Sequence, residues 1–278
     1  MRLTVLVDNT TIIDSYFQGE PAVSYFIECE GKRVLFDTGY SDLFLKNANK
    51  MNLDLLSLDS IVLSHGHNDH TGGLSGLVQL YAEAGREEPK LKIPPIIAHP
   101  DALLEKRENG QRIGTALSAS QLAGSFPLRL SREPVVLSDR LLFLGEIERL
   151  NSFEAMQPIG ETRRNGSWQR DFVLDDSALV YRSALGLVII TGCSHAGICN
   201  IVEYAKKVCN ETRIYDIIGG FHLLNPGEDR LIHTSQYLQE NQIAAIHACH
   251  CTDLSSKLRL SQAAALKEVG VGLALEYE

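Results

Sequence analysis

The sequence predicts an α/β protein of one domain spanning 1–278, with sheet in the middle and helices outside. Two observations carry this. Short β-rich segments open the chain, a mixed stretch follows, and the last third alternates strand-like and helix-like segments. The 278 residues are 44% apolar, enough for a substantial core, and no low-complexity linker or exact internal repeat divides them.

The elements follow in order. RLTVLV (2–7), AVSYFIEC (22–29) and KRVLFD (32–37) are rich in β-branched and aromatic residues and are separated by turn-formers, so they read as strands. A short helix is expected over 40–50, where Leu43, Leu45 and Ala48 recur among polar residues. Ser60–Leu63 is a strand running into a polar loop, and 76–85 is a helix stopped by Gly85. Residues 92–100 form a strand ended by Pro100. The segment 104–133 reads as an inserted helix or loop region, and strand-like pieces follow at 134–138 and 140–147. Residues 151–172 hold Pro, Gly, Asn and the Arg163–Arg164 pair and predict a long exposed loop. A hairpin (177–183, 186–192) precedes a helix (196–209), a strand and loop (215–224), a helix (230–241), a strand (244–251) and a helix (255–269).

Charge and cysteine content narrow the function classes. Lys+Arg number 26 against 35 Asp+Glu, a formal charge of −9, which disfavours long nucleic acids as partners. A sum does not exclude a local basic patch. No stretch approaches the ~20 apolar residues of a membrane helix. The first residues show no signal-peptide pattern, so the expected compartment is the cytoplasm. The 6 cysteines have no disulfide-scaffold spacing and read as reduced thiols.

The 9 histidines are the better lead. His65, His99, His195 and His250 stand at or just after predicted strand ends, where sites are assembled. Ser64-His65-Gly66-His67-Asn68-Asp69-His70 packs three imidazoles and a carboxylate into one loop. On an extended chain His65 and His67 project to the same side and can share a cation. Asp69 and His70 can face a second cation before Thr71-Gly72-Gly73 turns the chain. Imidazole and carboxylate suit zinc, and also manganese or iron.

These residues carry a resemblance. HGHNDHTGGL after IVL, with VLFDTG (34–39) upstream, resembles the signature of the metallo-β-lactamase superfamily. TGCSHAGICNIV (191–202), IGGFHLL (218–224) and HCT (250–252) are similar to the branch called metal-dependent hydrolases of β-lactamase superfamily II. That branch includes the archaeal dihydropterin-aminobenzene ribofuranosyl phosphate synthases, and the resemblance spans essentially the whole chain. It implies an αββα sandwich with the metal site at one edge of the two sheets. It further implies one or two divalent metals held by His65, His67, Asp69, His70, His195 and His250, with Asp37 beneath the metal loop orienting a ligand. His222 is a candidate for contact with substrate or for an extra metal ligand, and His99, at a strand end before Pro100, for lining the substrate pocket. Many superfamily members carry Asp where this chain has Cys193, so the bridging carboxylate is missing. Cys193 is a candidate zinc thiolate, with a small buried thiol the preferred reading. Asp253 replaces the branch's usual Gly and reads as a helix cap. His233 and His247 read as structural or surface residues.

The function implied is a metal-dependent hydrolase acting on an ester, lactone or phosphodiester of a small molecule, phosphorylated substrates included, with Asp69 as the catalytic carboxylate. The alternative is a transferase resembling the pterin synthases, and a third is a metal-binding sensor. Arg163, Arg164 and Arg170 could bind phosphate, with a solvated loop preferred. A homo-oligomer is left open.

Overall fold

A computed structural model describes residues 1–278. One seven-stranded sheet runs from β18 (Ala274–Glu276) through β1 (Arg2–Val7), β2 (Ser24–Cys29), β3 (Lys32–Phe36), β4 (Ser60–Val62) and β5 (Ile96–Ala98) to β8 (Leu128–Leu130). Its first four strands are antiparallel, and β3, β4, β5 and β8 are parallel. The second runs from β17 (Ala265–Leu266) through β16 (Ala245–Cys249), β15 (Ile214–Gly220), β14 (Gly186–Thr191), β13 (Ala178–Ser183) and β10 (Leu141–Phe143) to β9 (Val135–Val136). Here β17 to β14 are parallel and the remainder antiparallel.

The pleat sorts side chains into three apolar layers. Along β14, Val188 and Ile190 face the other sheet, while Leu187 and Ile189 face helices. In β3, Val34 and Phe36 point between the sheets and Leu35 points outward. The layer between the sheets joins Val5, Tyr25, Phe36 and Val62 to Phe143, Leu179 and Ile218. The outer layers bury α1 (Leu43–Lys50) and α3 (Leu74–Glu87) against the first sheet. On the second sheet lie α5 (Ile198–Cys209), α6 (Glu228–Glu240) and α7 (Leu254–Leu260). This is the αββα sandwich. No helix is long and apolar enough to cross a membrane.

The remaining elements differ from expectation. The segment 104–133 supplies β6 (Lys106–Glu108), β7 (Gln111–Arg112), a short helix α4 (Ala119–Ala123) and β8. The stretch 151–172 is not all loop: β11 (Glu161–Arg164) and β12 (Ser167–Arg170) form a hairpin that joins β6 and β7 in a third sheet, ordered β12–β11–β6–β7. Its strands are polar and lack apolar alternation, so periodicity hides them. Their turns do not. Asn165-Gly166 and Asn109-Gly110 both have φ positive at both residues, the type I′ signal of a two-residue hairpin. Helix α3 passes through Gly85, where an added Cβ would meet open space, so that glycine weakens the helix without ending it. Helix α7 stops at Leu260, and the residues expected to prolong it form β17 beside β16.

Phe143, fully buried between the sheets, tests the sandwich. Phe143→Ala should cost about 3–5 kcal/mol in urea unfolding with an unchanged denaturant slope. A loss well under 1 kcal/mol would mean the inter-sheet layer is not what holds the molecule.

Candidate metal centre

The motif residues follow the ends of strands on one edge of the sandwich, directly or on the short helical turn after β4. Asp37 follows β3, and the loop Ser64–His67 follows β4. Asp69 and His70 lie on the single turn α2 (Asn68–Thr71). Cys193 and His195 follow β14, His222 follows β15 and His250 follows β16. The parallel strands bring these ends together, as open α/β sheets generally do. Asp37, Ser194, His222 and His250 all take left-handed φ between 49° and 59°, an uncommon conformation outside glycine that needs surrounding structure to hold it.

The donor atoms fall into two adjoining groups, and within each group they all lie within 4.8 Å of one another. The first comprises His65, His67 and His195. His65 Nε2 lies 3.1 Å from His67 Nδ1, and the ring centroids of His65 and His67 lie 4.7 and 4.8 Å from that of His195. The second comprises Asp69, His70, Cys193 and His250. Cys193 Sγ lies 3.2 Å from His70 Nε2 and 3.1 Å from His250 Nε2. Asp69 Oδ2 lies 3.5 and 3.3 Å from the same two nitrogens. The His65 and His70 rings, one from each group, are 4.2 Å apart. All six expected ligands are thus brought together. Cys193 is a buried thiol, as expected, and its sulfur also faces two imidazoles, the setting of the alternative zinc-thiolate reading.

Electrostatics suit these groups to a cation. Burial, then His70 and His67, hold His65 well below its usual pKa. Burial and Lys106 bring His67 to about 4, and burial with His222 and His65 lowers His195. The first group is therefore neutral, with lone pairs available. Its His67 Nε2 and both His195 nitrogens are buried without a hydrogen-bond partner, a costly arrangement that a bound metal would resolve. Burial opposes charge on His70, but Asp69 and Asp37 outweigh it and raise its pKa well above the usual value. Burial likewise opposes charge on Asp69, and His70 and His250 outweigh it to hold the carboxylate ionised. Burial raises the Cys193 thiol, which a metal would deprotonate. Three donors with room for a fourth, beside a Cys/His/Asp set, fit divalent zinc chemistry.

The ligands are held from behind. Asp37, fully buried, accepts from Ser64 N at 2.7 Å and Ser64 Oγ at 2.6 Å and meets His70 Nδ1 at 2.7 Å. That leaves His70 Nε2 for the centre, as the resemblance implied. Ser64 Oγ lies 2.9 Å from His65 Nδ1, so Nε2 faces inward there too.

Three residues with a supporting role escaped sequence reasoning. Asp175 Oδ2 accepts from Gly66 N at 2.8 Å, within the metal loop. Asp176 Oδ2 accepts from Ala196 N at 2.7 Å, beside His195, and burial raises its pKa to about 7. Lys106, 1% exposed, pairs with Asp171 at 2.7 Å and Asp175 at 2.8 Å. The one available signal was the adjacent Asp175-Asp176 pair before an apolar strand.

A cavity of about 480 Å³ opens onto both groups. Asn9, Asn68 and Glu108 give it polar edges, and Pro21, Tyr40, Ile113, Ile159 and Leu224 form an apolar wall. His222 lines it, its ring 4.4 Å from that of His195. His99 does not. It is fully buried, accepts from Asp101 N at 3.1 Å and meets Glu146 at 3.0 Å, so it caps a 3-10 turn and its expected place lining the substrate pocket is corrected. Arg164 and Arg163 are also spoken for, by Asp101 at 2.7 Å and Glu105 at 3.0 Å. Asp253 caps α7 through Ser256 N at 2.7 Å, and His247 pairs with Asp216 at 2.9 Å inside β16.

Comparison with known proteins fits this geometry. Residues 18–206 match the family model described as the metallo-beta-lactamase superfamily. The chain belongs to that superfamily. It is 32% identical to 7,8-dihydropterin-6-methyl-4-(beta-D-ribofuranosyl)-aminobenzene-5'-phosphate synthase of Methanocaldococcus jannaschii, over 92% of this chain and 89% of that one. This superfamily member is also similar to the crystal structure of Tm1679, described as a metal-dependent hydrolase of the beta-lactamase superfamily. The TM-score is 0.83 at 30% identity, covering 100% of this chain and 99% of that one. Zn(2+)-bound PqqB from Methylobacterium extorquens shares the fold at 12% identity, with TM-score 0.55 over 99% and 100% of the two chains.

Two outcomes test the support. Asp37→Asn should weaken metal binding by about 10–100-fold in a chelator-competition titration while circular dichroism is unchanged; unaltered affinity would remove Asp37 from the centre. Lys106→Met should cost about 3–5 kcal/mol by leaving buried carboxylates uncompensated, and adding Asp171→Asn and Asp175→Asn should restore most of it. If the triple variant is no more stable than the single one in thermal melts, charge is not the strut's function.

Proposed function

We propose that the chain is a metal-dependent hydrolase of a small ester, lactone or phosphodiester. One observation carries the reading: two adjoining donor groups, complete in their histidines, open onto a single cavity with Asp69 reaching into it. His65, His67 and His195 would hold one divalent ion, and Asp69, His70, Cys193 and His250 a second, with zinc the best match to the sulfur donor and manganese or iron as alternatives. When bound, such ions supply Lewis acidity and lower the pKa of water toward neutrality. Asp69, kept ionised by its two imidazole neighbours, orients the attacking water by hydrogen bond and takes its proton. The ring of His222 stands beside His195 and offers a donor to the developing oxyanion. The apolar wall excludes bulk water and seats the organic part of the substrate, which the cavity limits to a small molecule.

A second reading, group transfer, is favoured by the whole-chain likeness to a named synthase. There the same donors would hold divalent ions whose positive charge would suit a pyrophosphate leaving group that an aryl nucleophile displaces, and Asp69 would help hold them without activating water.

The test is turnover. The purified protein, loaded separately with zinc, manganese and iron, is given aryl phosphodiesters, lactones, and a pterin pyrophosphate with aminobenzene ribofuranosyl phosphate. Hydrolysis is expected, lowered about 10²–10⁴-fold in Asp69→Asn with the fold intact. Condensation of the pterin and the aminobenzene without ester or lactone cleavage would replace the hydrolase reading by the transferase one.

A further inference from the structure

The third sheet carries an arrangement that the metal centre does not use. Its register sets Arg170 opposite Glu161, Glu161 opposite Arg107, and Arg107 opposite Arg112. Residues paired in this way share one face of the sheet. Arg163, two residues from Glu161 and opposite Trp168, lies on that face too. Four guanidiniums therefore meet two carboxylates. Glu161 pairs with Arg107 at 2.7 Å and Glu105 with Arg163 at 3.0 Å. Arg112 donates to the Thr115 carbonyl and neither it nor Arg170 has a carboxylate partner.

Like charges directly opposite one another destabilise a strand pair. Arg107 and Arg112 make such a pair at the β7 edge of the third sheet, in a chain whose net charge is −9. Glu161 offsets Arg107, but Arg112 has only the Thr115 carbonyl, and locally unfavourable placements of this kind concentrate at functional sites. Here the placement borders a cavity of about 250 Å³ lined by Glu105, Lys106, Arg107, Gly110, Arg112 and Trp168. The Arg107 guanidinium lies 4.0 Å from the centroid of the indole. A planar guanidinium fork matches phosphate, and an indole offers a flat apolar surface to a ring. The volume suits a phosphate and a ring, not a long polymer. Glu108, between Arg107 and the turn, lines the metal cavity instead, so the β6–β7 hairpin separates the two cavities.

We propose that this face is a second binding site, for a small ligand that joins a phosphate to a flat aromatic ring. The phosphate sits between Arg107 and Arg112 and relieves their repulsion, and the ring rests against Trp168. The proposal is independent of what the metal centre catalyses.

Trp168 is the chain's sole tryptophan, so emission excited at wavelengths that tyrosine does not absorb reports this site. The metal-loaded protein is titrated with phenyl phosphate, adenosine monophosphate and inorganic phosphate. A saturable change with one or both aromatic phosphates is expected, and which of the two binds more tightly separates an aryl phosphate from a nucleotide as the source. Binding should weaken at least tenfold in Arg112→Gln, an exposed position where folding is not at risk, and Arg107→Gln should repeat the effect. No saturable change, or one that Arg112→Gln leaves intact, overturns the site. Equal affinity for inorganic phosphate overturns the aromatic half of it.

Discussion

The metal centre depends on one buried carboxylate. Asp37 reaches across from β3 to the loop after β4 and holds Ser64 by backbone and side chain, and His70 by its ring. Removed from water, each of these bonds is strong, and any one of them left unmade would be expensive. The carboxylate therefore does two things with one set of contacts. It fixes the direction in which the metal loop leaves the first sheet, and it fixes which nitrogen His70 presents. Ser64 passes the constraint to His65 through the same hydroxyl. A single acidic side chain thus aligns ligands of both donor groups.

The second sheet is tied to this anchor by its own carboxylates. Asp175 grips Gly66 in the loop from the first sheet, while its neighbour Asp176 grips Ala196 in the loop from the second. Adjacent residues so hold two ligand-bearing loops in register. The arrangement accumulates negative charge in a dry interior, which is tolerable only because Lys106 stands between Asp171 and Asp175. Lys106 begins β6, so the inserted hairpin reaches the floor of the site through its ammonium. It reaches the rim through the main chain, where Asn68 N donates to Ile113 O at 2.8 Å and Thr115 N to Gly66 O at 3.1 Å. The insertion is bonded to the metal loop at both depths and behaves as part of the site's wall.

What the sequence made legible follows from how local the signal is. The sandwich strands announce themselves because alternate side chains enter different apolar layers, so all six residues of β14 are buried. The metal loop is legible because its donors sit within six residues of one another. Asp175, Asp176 and Lys106 were not, since each acquires its partner only when distant segments meet; Lys106 and Asp171 are 65 residues apart. His99 misled for the converse reason. It has the right local setting, a strand end before proline, yet the fold gives it Glu146 and Asp101 as neighbours instead of a cavity. The third sheet was missed because polar strands show no periodicity, although both Asn-Gly turns were in plain view.

The same contrast between sum and placement governs the charge. A net of −9 argues against binding polyanions, and over long distances that holds, because surface fields add. It says little at contact range, where screening confines each charge to about 8–10 Å. Within that range the molecule contains opposite extremes. Around the donor groups, Asp37, Asp69, Asp175 and Asp176 crowd into a buried edge and favour a multivalent cation. On the third sheet, four arginines share a face with two glutamates. Cation-seeking and anion-seeking surfaces lie on opposite sides of one short hairpin, with Glu108 facing one cavity and Arg107 and Arg112 the other. Strand alternation alone produces that separation, so a two-residue turn and a change of face suffice to keep two incompatible electrostatic environments apart within a few residues of chain.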